Sequence, residues 1–253
     1  SDLAQSQSSL AGAQARYIEA QNNIVTSKLN YENVIGIIAA KENLRKIYKT
    51  ELTIPSNLNE AKEISLKKSP ELIIAEIEYG QSELDVKIAR SDLSPTAKIS
   101  LERTYTDDLS ATYDEREKDV LQASVSWPFQ FGGKNKSIVN KNLQTKGMKR
   151  LLLENSQKNN TQSVTSAWST LQSSRSFLRA VQSQVKASEI ATEGISFEYE
   201  NGSGRSTFDV LQSRSSLISA KINLAEAERS YLLSQYRVLK SVGLLNSDYL
   251  NLK

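Results

Sequence analysis

The chain lacks cysteine and histidine altogether, and only 4 of its 253 residues are proline. The absence of cysteine excludes disulfide bonds and thiolate metal sites. The absence of histidine removes the commonest general base, the commonest metal ligand and the usual switch near neutral pH. We therefore expect no catalytic residue, no metal site and no cofactor.

Strong charge and long apolar runs are missing as well. The net charge is +3 without a basic stripe, which argues against a nucleic-acid partner. No run of about 18 apolar residues occurs, so we expect no transmembrane helix. The sequence has a helical pattern from Ser1 onward, which favours the interpretation that the chain is a fragment of a longer protein.

Two long segments with helical patterning meet at a short turn rich in glycine. The segments 134–199 and 208–242 flank Gly202 and Gly204, residues that tolerate left-handed backbone and end helices. Ser206 or Thr207 can cap the second helix. The pattern predicts an αα-hairpin whose first arm is roughly 100 Å long at 1.5 Å per residue, with a working end at its tip.

The first 38 residues carry an apolar stripe that repeats every seven residues, as in helices packed side by side. The segment DLAQSQSSL after Ser1 also aligns with DVLQSRSSL from Asp209, at an offset of 207 residues, and Gly36 then aligns with Gly243. Two heptad helices of similar composition could look alike. The clustered identities favour an internal duplication, of which only the last helix of the first copy is present.

Between these helices the period of the pattern changes. We expect helices at 57–68 and 70–92, the second with Pro70 at its first position. Residues 98–105 and 121–131 then alternate as strands around a charged loop at 107–118. Apolar residues on one face suit a membrane β-hairpin, although a soluble hairpin packed on the helices fits these residues equally well.

Several segments together resemble the TolC family of outer-membrane efflux and secretion channels. The sequences that carry the resemblance are YENG at 199–202, RS at 205–206, DVL at 209–211, WPFQFGG at 127–133, IPSNLNEAKEISLKKSPEL at 54–72 and SYLLSQYRVLKSVGLL at 230–245. They occur in the family's order over nearly the whole chain.

The resemblance implies a mainly α fold, in which long coiled-coil-like helical hairpins form an α-barrel and a β-hairpin contributes to a transmembrane β-barrel. It implies a homotrimer in the outer membrane with a periplasmic helical domain. The trimer would passively export drugs, small molecules or proteins as the exit duct of a tripartite efflux pump or type I secretion system. The implied partners are a periplasmic adaptor (membrane fusion) protein, an inner-membrane transporter and outer-membrane lipid.

The resemblance also divides the chain and assigns site residues. The implied segments are the last helix of the first repeat (1–40), an equatorial segment (41–69), an upper α-barrel helix (70–94), the transmembrane β-hairpin (95–131), the long helical hairpin (132–245) with its tip at 199–209, and a tail (246–253). The implied gating residues are Asp2, Tyr199, Arg205, Asp209 and Gln212. The implied adaptor-contacting loop comprises Asn201, Gly202, Ser203, Gly204 and Ser206. The implied membrane-facing residues are Leu121, Val125, Trp127 and Phe129.

Some features depart from the family's pattern or keep a simpler interpretation. Gln212 stands where the best-known members have a second tip acid, so cation binding at the entrance should be weaker. Arg205 and Asp209 could form only an exposed intrahelical pair. The helices rich in serine, glutamine and asparagine could be solvated faces or could line a water-filled lumen. A periplasmic coiled-coil adaptor or scaffold without a pore is the alternative function.

Overall fold

The structure is a computed structural model that describes residues 2–38, 52–110, 113–127, 133–202 and 204–250. Its elements in chain order are α1 (Asp2–Ile35), α2 (Leu58–Lys68), α3 (Pro70–Ser91), β1 (Thr96–Ser110), β2 (Tyr113–Ser126), α4 (Lys134–Glu200) and α5 (Thr207–Val242). The predicted helices are all present, each within a few residues of its expected bounds. The chain divides into two compact units, and α4 and α5 contribute to both.

The first unit comprises 1–55 and 167–239. Here α5 runs antiparallel to the C-terminal part of α4, and small or branched side chains fill the seam between them. The buried apolar residues of this unit are Leu171, Val181, Val185, Val210, Ala220, Ala227, Val238 and Leu239. Several of them are separated by multiples of seven residues, as Ala220 and Ala227 or Leu171 and Val185 are, which is the spacing of helices packed side by side.

Helix α1 belongs to the same unit, but its apolar stripe is exposed to solvent. Leu3 is 75% exposed and Tyr17 is 65% exposed. The helix ends at Ile35, three residues before its expected end at residue 38. It ends there because Gly36 has a φ of 80°, and the Gly36 N–H donates to the Glu32 carbonyl oxygen at 2.8 Å. Gly243, its partner in the proposed duplication, ends α5 with the same φ of 80°. The duplication stays a prediction, which these matched helix ends support.

The second unit comprises 56–166 and 240–253. Helix α2 is capped by Asn57, whose side-chain oxygen accepts the Glu60 N–H at 2.8 Å. Helix α3 then runs antiparallel to the N-terminal half of α4. Lys146 Nζ lies 2.7 Å from a Glu83 carboxylate oxygen, which lowers the pKa of Glu83 and raises that of Lys146. A second ion pair joins Lys149 to Glu78 on the same two helices at 2.8 Å.

The face that α3 buries differs from its most apolar stripe. The sequence shows isoleucine and leucine at helical spacing along α3, but these residues are 42–60% exposed: Ile73, Ile77, Leu84 and Ile88. The buried residues of α3 are Leu72, Ser82, Val86 and Ala89. Small side chains at the seam allow the close approach of the two helix backbones, and the longer apolar side chains remain available on another face.

The middle of α4, residues 154–163, contains no apolar side chain, yet it is packed. Asn160 is 5% exposed and donates a hydrogen bond of 2.9 Å to the hydroxyl oxygen of Ser65, which is 1% exposed. The Ser65 hydroxyl in turn donates to the Lys62 carbonyl oxygen at 2.8 Å. A buried polar pair therefore replaces apolar contact where α2 meets α4, and it fixes the register of the two helices.

The β-hairpin is longer than the sequence predicts. Strands β1 and β2 pair antiparallel from Thr96 opposite Ser126 to Asp107 opposite Glu115, with an irregularity before Ser110. The prediction of a charged loop at 107–118 was wrong, because most of these residues continue the ladder. Glu117 in this stretch forms an ion pair with Arg103 on the other strand, and such cross-strand pairs stabilise a ladder.

Candidate functional site at the hairpin tip

The turn between α4 and α5 has the left-handed backbone that its glycines predict. Gly202 has a φ of 71° and Gly204 has a φ of 78°. The Asn201 side chain donates to the Phe197 carbonyl oxygen at 2.8 Å, so it closes the last turn of α4. Asn201 and both glycines are exposed. The loop therefore presents backbone and small polar groups to solvent.

Ser206 and Asp209 start α5 with a reciprocal pair of hydrogen bonds. The Asp209 N–H donates to the Ser206 hydroxyl oxygen at 3.2 Å, and the Asp209 carboxylate accepts the Ser206 N–H at 2.9 Å and its hydroxyl at 3.0 Å. This is a capping box with aspartate in the acidic position. The hydrogen bond from the Ser206 backbone N–H lowers the pKa of Asp209 most, and the bond from the Ser206 hydroxyl lowers it further. The carboxylate is thus ionised and held in one orientation.

Arg205 makes a contact that the sequence analysis missed. Its Nε donates to a Glu198 carboxylate oxygen at 2.6 Å, across the turn from the last residues of α4. This bond is the main reason that the pKa of Arg205 is raised, whereas Asp209 contributes only through weaker Coulomb attraction. The interpretation of Arg205 and Asp209 as an intrahelical ion pair is therefore wrong, because Arg205 precedes the first residue of α5.

Tyr199 lies at the same end of the hairpin. Its hydroxyl is 3.2 Å from the hydroxyl of Thr207, and its side chain is 43% exposed. Phe197 beside it is 68% exposed. The tip thus combines an ion pair, two hydroxyls and exposed aromatic surface, a mixture suited to contacts with another chain.

A shallow groove runs up from the tip between α4 and α5. Its lining includes Arg205, Asp209 and Gln212 from the tip and start of α5. Higher up, the Thr192 hydroxyl lies 2.7 Å from the Ser188 carbonyl oxygen and 3.2 Å from that of Ser213, so it bridges the two helices. The groove therefore brings together Arg205, Asp209 and Gln212, three of the five predicted gating residues, and Tyr199 lies at the same end of the hairpin.

The remaining predicted residues are placed elsewhere or lie outside the described side chains. Asp2 is the first residue of α1, and its side chain is not among those described. Ser203 and Phe129 are outside the described residues. Leu121, Val125 and Trp127 are 73%, 77% and 55% exposed on the hairpin.

The described part of the chain contains no group of three or more acidic side chains arranged to hold a metal ion. None of the described helices is long and apolar enough to cross a membrane.

A protein-family model matches a stretch of the chain that includes the tip. The model of the family described as outer membrane efflux protein matches residues 63–244. The chain belongs to the outer membrane efflux protein family. Its members are outer-membrane channels with a periplasmic helical domain and are not enzymes, which confirms the predicted family, location and class of protein.

Relatives of known name agree with this assignment. The chain is 23% identical over 253 residues to the outer membrane efflux protein BepC of Brucella suis. The alignment covers 100% of this chain and 55% of BepC. It is 23% identical over 265 residues to the outer membrane protein TolC of Escherichia coli, covering 93% of this chain and 52% of TolC. The chain spans about half the length of these relatives.

Solved structures confirm the fold class. The outer membrane channel MtrE of Neisseria gonorrhoeae, in its open state, superimposes with a TM-score of 0.73 at 17% identity, covering 92% of this chain and 53% of MtrE. The channel CmeC of Campylobacter jejuni gives a TM-score of 0.66 at 15% identity over 82% of this chain and 47% of CmeC. The efflux-family chain therefore has the TolC-like architecture predicted from its sequence.

Proposed function

We propose that this chain forms part of a passive exit duct in the outer membrane, belonging to a tripartite efflux pump or a type I secretion system. The observation that carries the proposal is the family match, which extends over the β-hairpin, the long helical hairpin and its tip. Drugs, other small molecules or proteins would pass through a homotrimer without chemical change. The same match favours this duct over the adaptor without a pore.

The proposed partners follow from two exposed regions. The tip loop, with Asn201, Gly202, Gly204 and Ser206 all exposed, would contact a periplasmic adaptor protein, which joins the duct to an inner-membrane transporter. The apolar face of the β-hairpin, including Leu121 and Val125, would contact outer-membrane lipid. Ser203 completes the proposed loop in the sequence.

We further propose that the tip is the gate. Arg205 and Tyr199 would link to Asp2 of a neighbouring hairpin, and these links would hold the pore shut. The Arg205 guanidinium has five N–H donors, so the bond to Glu198 leaves donors for a second carboxylate. Glu198 would then hold the Arg205 side chain in place and would not compete with Asp2 for its donors. Asp209, ionised and fixed by Ser206, would contribute to a ring of carboxylates at the entrance.

Single-channel conductance of the purified protein in planar bilayers tests this gate. We expect Arg205→Ala and Asp2→Ala each to raise the conductance several-fold, because each removes one side of a closing link. Glu198→Gln should give a smaller rise, because Arg205 keeps its charge but loses its anchor. Unchanged conductance in both the Arg205 and the Asp2 variant would refute gating at these residues.

Lys221→Ala is the matched control for these variants. Lys221 makes a comparable surface ion pair between the same two helices, with Glu189 at 2.9 Å, but it lies farther from the tip. Its side chain is 55% exposed, against 45% for Arg205. A rise in conductance in the control as large as that in Arg205→Ala would show that any loosening of the hairpin opens the channel, and the specific links would then be unnecessary.

A further inference from the structure

The two faces of the β-hairpin differ sharply near its base. On one face, cross-strand rows carry apolar residues: Ala97 with Val125, Ile99 with Ala123, and Leu101 with Leu121. The large side chains of these rows are 73–78% exposed. The opposite face carries Lys98 with Ser124 and Ser100 with Gln122. Further strands would pair with the hairpin's edges and leave both faces uncovered.

The apolar face ends abruptly at a charged row. Next after Leu101 and Leu121 come Arg103 and Asp119, opposite each other on the same face. Arg103 forms an ion pair with Glu117 and lies 3.5 Å from the Asp119 carboxylate. The row beyond pairs Tyr105 with Glu117, and the Tyr105 side chain is 60% exposed. The charged cluster therefore comprises Arg103, Glu117 and Asp119.

The distances along the strand match those of a bilayer. From Trp127 to Glu117, which is opposite Tyr105, the chain advances by ten residues, or roughly 34 Å at 3.4 Å per residue. With strands tilted by about 40°, this is about 26 Å along the membrane normal, close to the roughly 25 Å apolar band of outer-membrane barrels. Trp127 and Tyr105 then fall at the two interfaces, where such barrels carry aromatic girdles.

We propose that the cluster of Arg103, Glu117 and Asp119 lies in the polar headgroup layer of the outer leaflet and sets the upper limit of contact between this hairpin and the lipid hydrocarbon. The proposal rests on the proposed function, since it takes this face to meet lipid. A charge facing lipid is costly near the middle of the bilayer and tolerated near its interfaces. Pairing within the cluster and the long arginine stem let it reach the hydrated layer.

The proposal also orients the rest of the hairpin. The strands continue past Tyr105 to Ser110 and resume at Tyr113. With the helices in the periplasm, the turn points outward, and these last residues of the ladder stand above the hydrocarbon. The apolar rows between Trp127 and Leu101 are then in full contact with the hydrocarbon. The row of Arg103 and Asp119 lies one row, about 5 Å, below the interface marked by Tyr105, close enough for the charged groups to reach the hydrated layer.

Depth measurements on single-cysteine variants test the proposal, and the absence of native cysteine makes every label unique. Leu101→Cys and Tyr105→Cys, on the proposed lipid face, are labelled with a fluorescent maleimide. The labelled protein is reconstituted in phosphatidylcholine vesicles containing nitroxide lipids, with the nitroxide either at the headgroup or deep in the acyl chain. Ser100→Cys and Thr104→Cys on the opposite face are the matched controls.

We expect the deep nitroxide to quench position 101 more strongly and the headgroup nitroxide to quench position 105 more strongly. Four residues of a tilted strand correspond to a depth difference of about 10 Å. The controls should be quenched by aqueous iodide and little by either lipid. Equal depths at 101 and 105, with both quenched by lipid, would overturn the boundary and leave the outer-membrane duct intact. If neither position is quenched by lipid, the lipid-facing hairpin itself is wrong.

A second variant isolates the role of the cluster. Replacing Arg103, Glu117 and Asp119 together by leucine extends the apolar face by about one row. We expect the label at position 105 to move toward the hydrocarbon by about 5 Å, the vertical spacing of one row. An unchanged depth would show that aromatic residues or strand tilt set the boundary, and the role given to the cluster would be wrong.

Discussion

Gly243 is the most tightly confined of the glycines that the structure describes. It ends α5 with a φ of 80°, beside the junction of α2 and α3. A Cβ at this position would overlap the Lys68 carbonyl oxygen, and it would lie 2.6 Å from the Lys68 carbonyl carbon and 2.9 Å from the Ser69 nitrogen. These are backbone atoms, so no side chain can rotate away to make room.

The cost of Gly243→Ala has two parts. Left-handed backbone costs a residue with a Cβ about 1–2 kcal/mol. Forcing extra volume into a packed site costs about 1–3 kcal/mol more. Ser69 is 4% exposed and Val242 is completely buried, so relaxation around the new methyl group is limited. We expect a total loss of about 2–5 kcal/mol of stability.

Gly204→Ala separates the two parts. Gly204 has a nearly identical φ of 78°, but no described atom lies within 4 Å of its would-be Cβ. This control should lose only the backbone part. Thermal unfolding of the detergent-solubilised protein, followed by far-ultraviolet circular dichroism, should therefore give a clearly lower midpoint for Gly243→Ala than for Gly204→Ala. Equal midpoints would mean that the junction does not confine Gly243.

Two further predictions concern polar groups. Asn160→Ala should lower the free energy of unfolding by about 1–3 kcal/mol, because the buried Ser65 hydroxyl loses the hydrogen bond that it accepts from Asn160. A double-mutant cycle with Ser65→Ala, measured by urea unfolding, should show that the two losses are coupled. Additive losses would contradict the prediction. The lowered pKa of Asp209 means that its stabilisation of the α5 N-terminus is fully present above the ordinary carboxyl pKa of 3.8 and is lost as the pH falls through the lowered value. Amide hydrogen exchange in the first turn of α5 should therefore speed up on acidification in the wild type, beyond the intrinsic pH effect, and this excess should disappear in Ser206→Ala.

The helices could be predicted from the sequence because their signals are local and repeated. Helical patterning identified α4 and α5, and Gly202, Gly204 and Pro70 marked where helices end or begin. Such signals depend on neighbouring residues alone.

The packed face of α3 could not be predicted in this way. Periodicity pointed to the stripe that includes Ile73 and Ile77, whereas the seam with α4 uses Ser82 and Ala89. A helix in contact with more than one neighbour needs more than one face, and the more apolar face need not be the one that meets α4. Only the position of α4 decides between them.

The extent of the β-hairpin depended on long-range pairing. Residues 107–118 are polar and charged, and the sequence alone treats such a stretch as a loop. Arg103 with Glu117 and Asp119 extends the ladder because opposite charges meet across it. The partner of a strand residue is set by register, which composition does not reveal.

At the tip, the hydrogen bonds of the predicted gating residues differ from the pairing that their spacing in the sequence suggests. The resemblance placed Arg205 and Asp209 at the gate, and spacing alone joined them to each other. The turn changes this, because Ser206 takes the Asp209 carboxylate for the helix cap and leaves Arg205 to face Glu198. Each group is thus satisfied within its own hairpin while Arg205 keeps spare donors. The proposed closing link from Arg205 to another hairpin would therefore require no local bond to break, and its loss on opening would leave the cap and the turn folded.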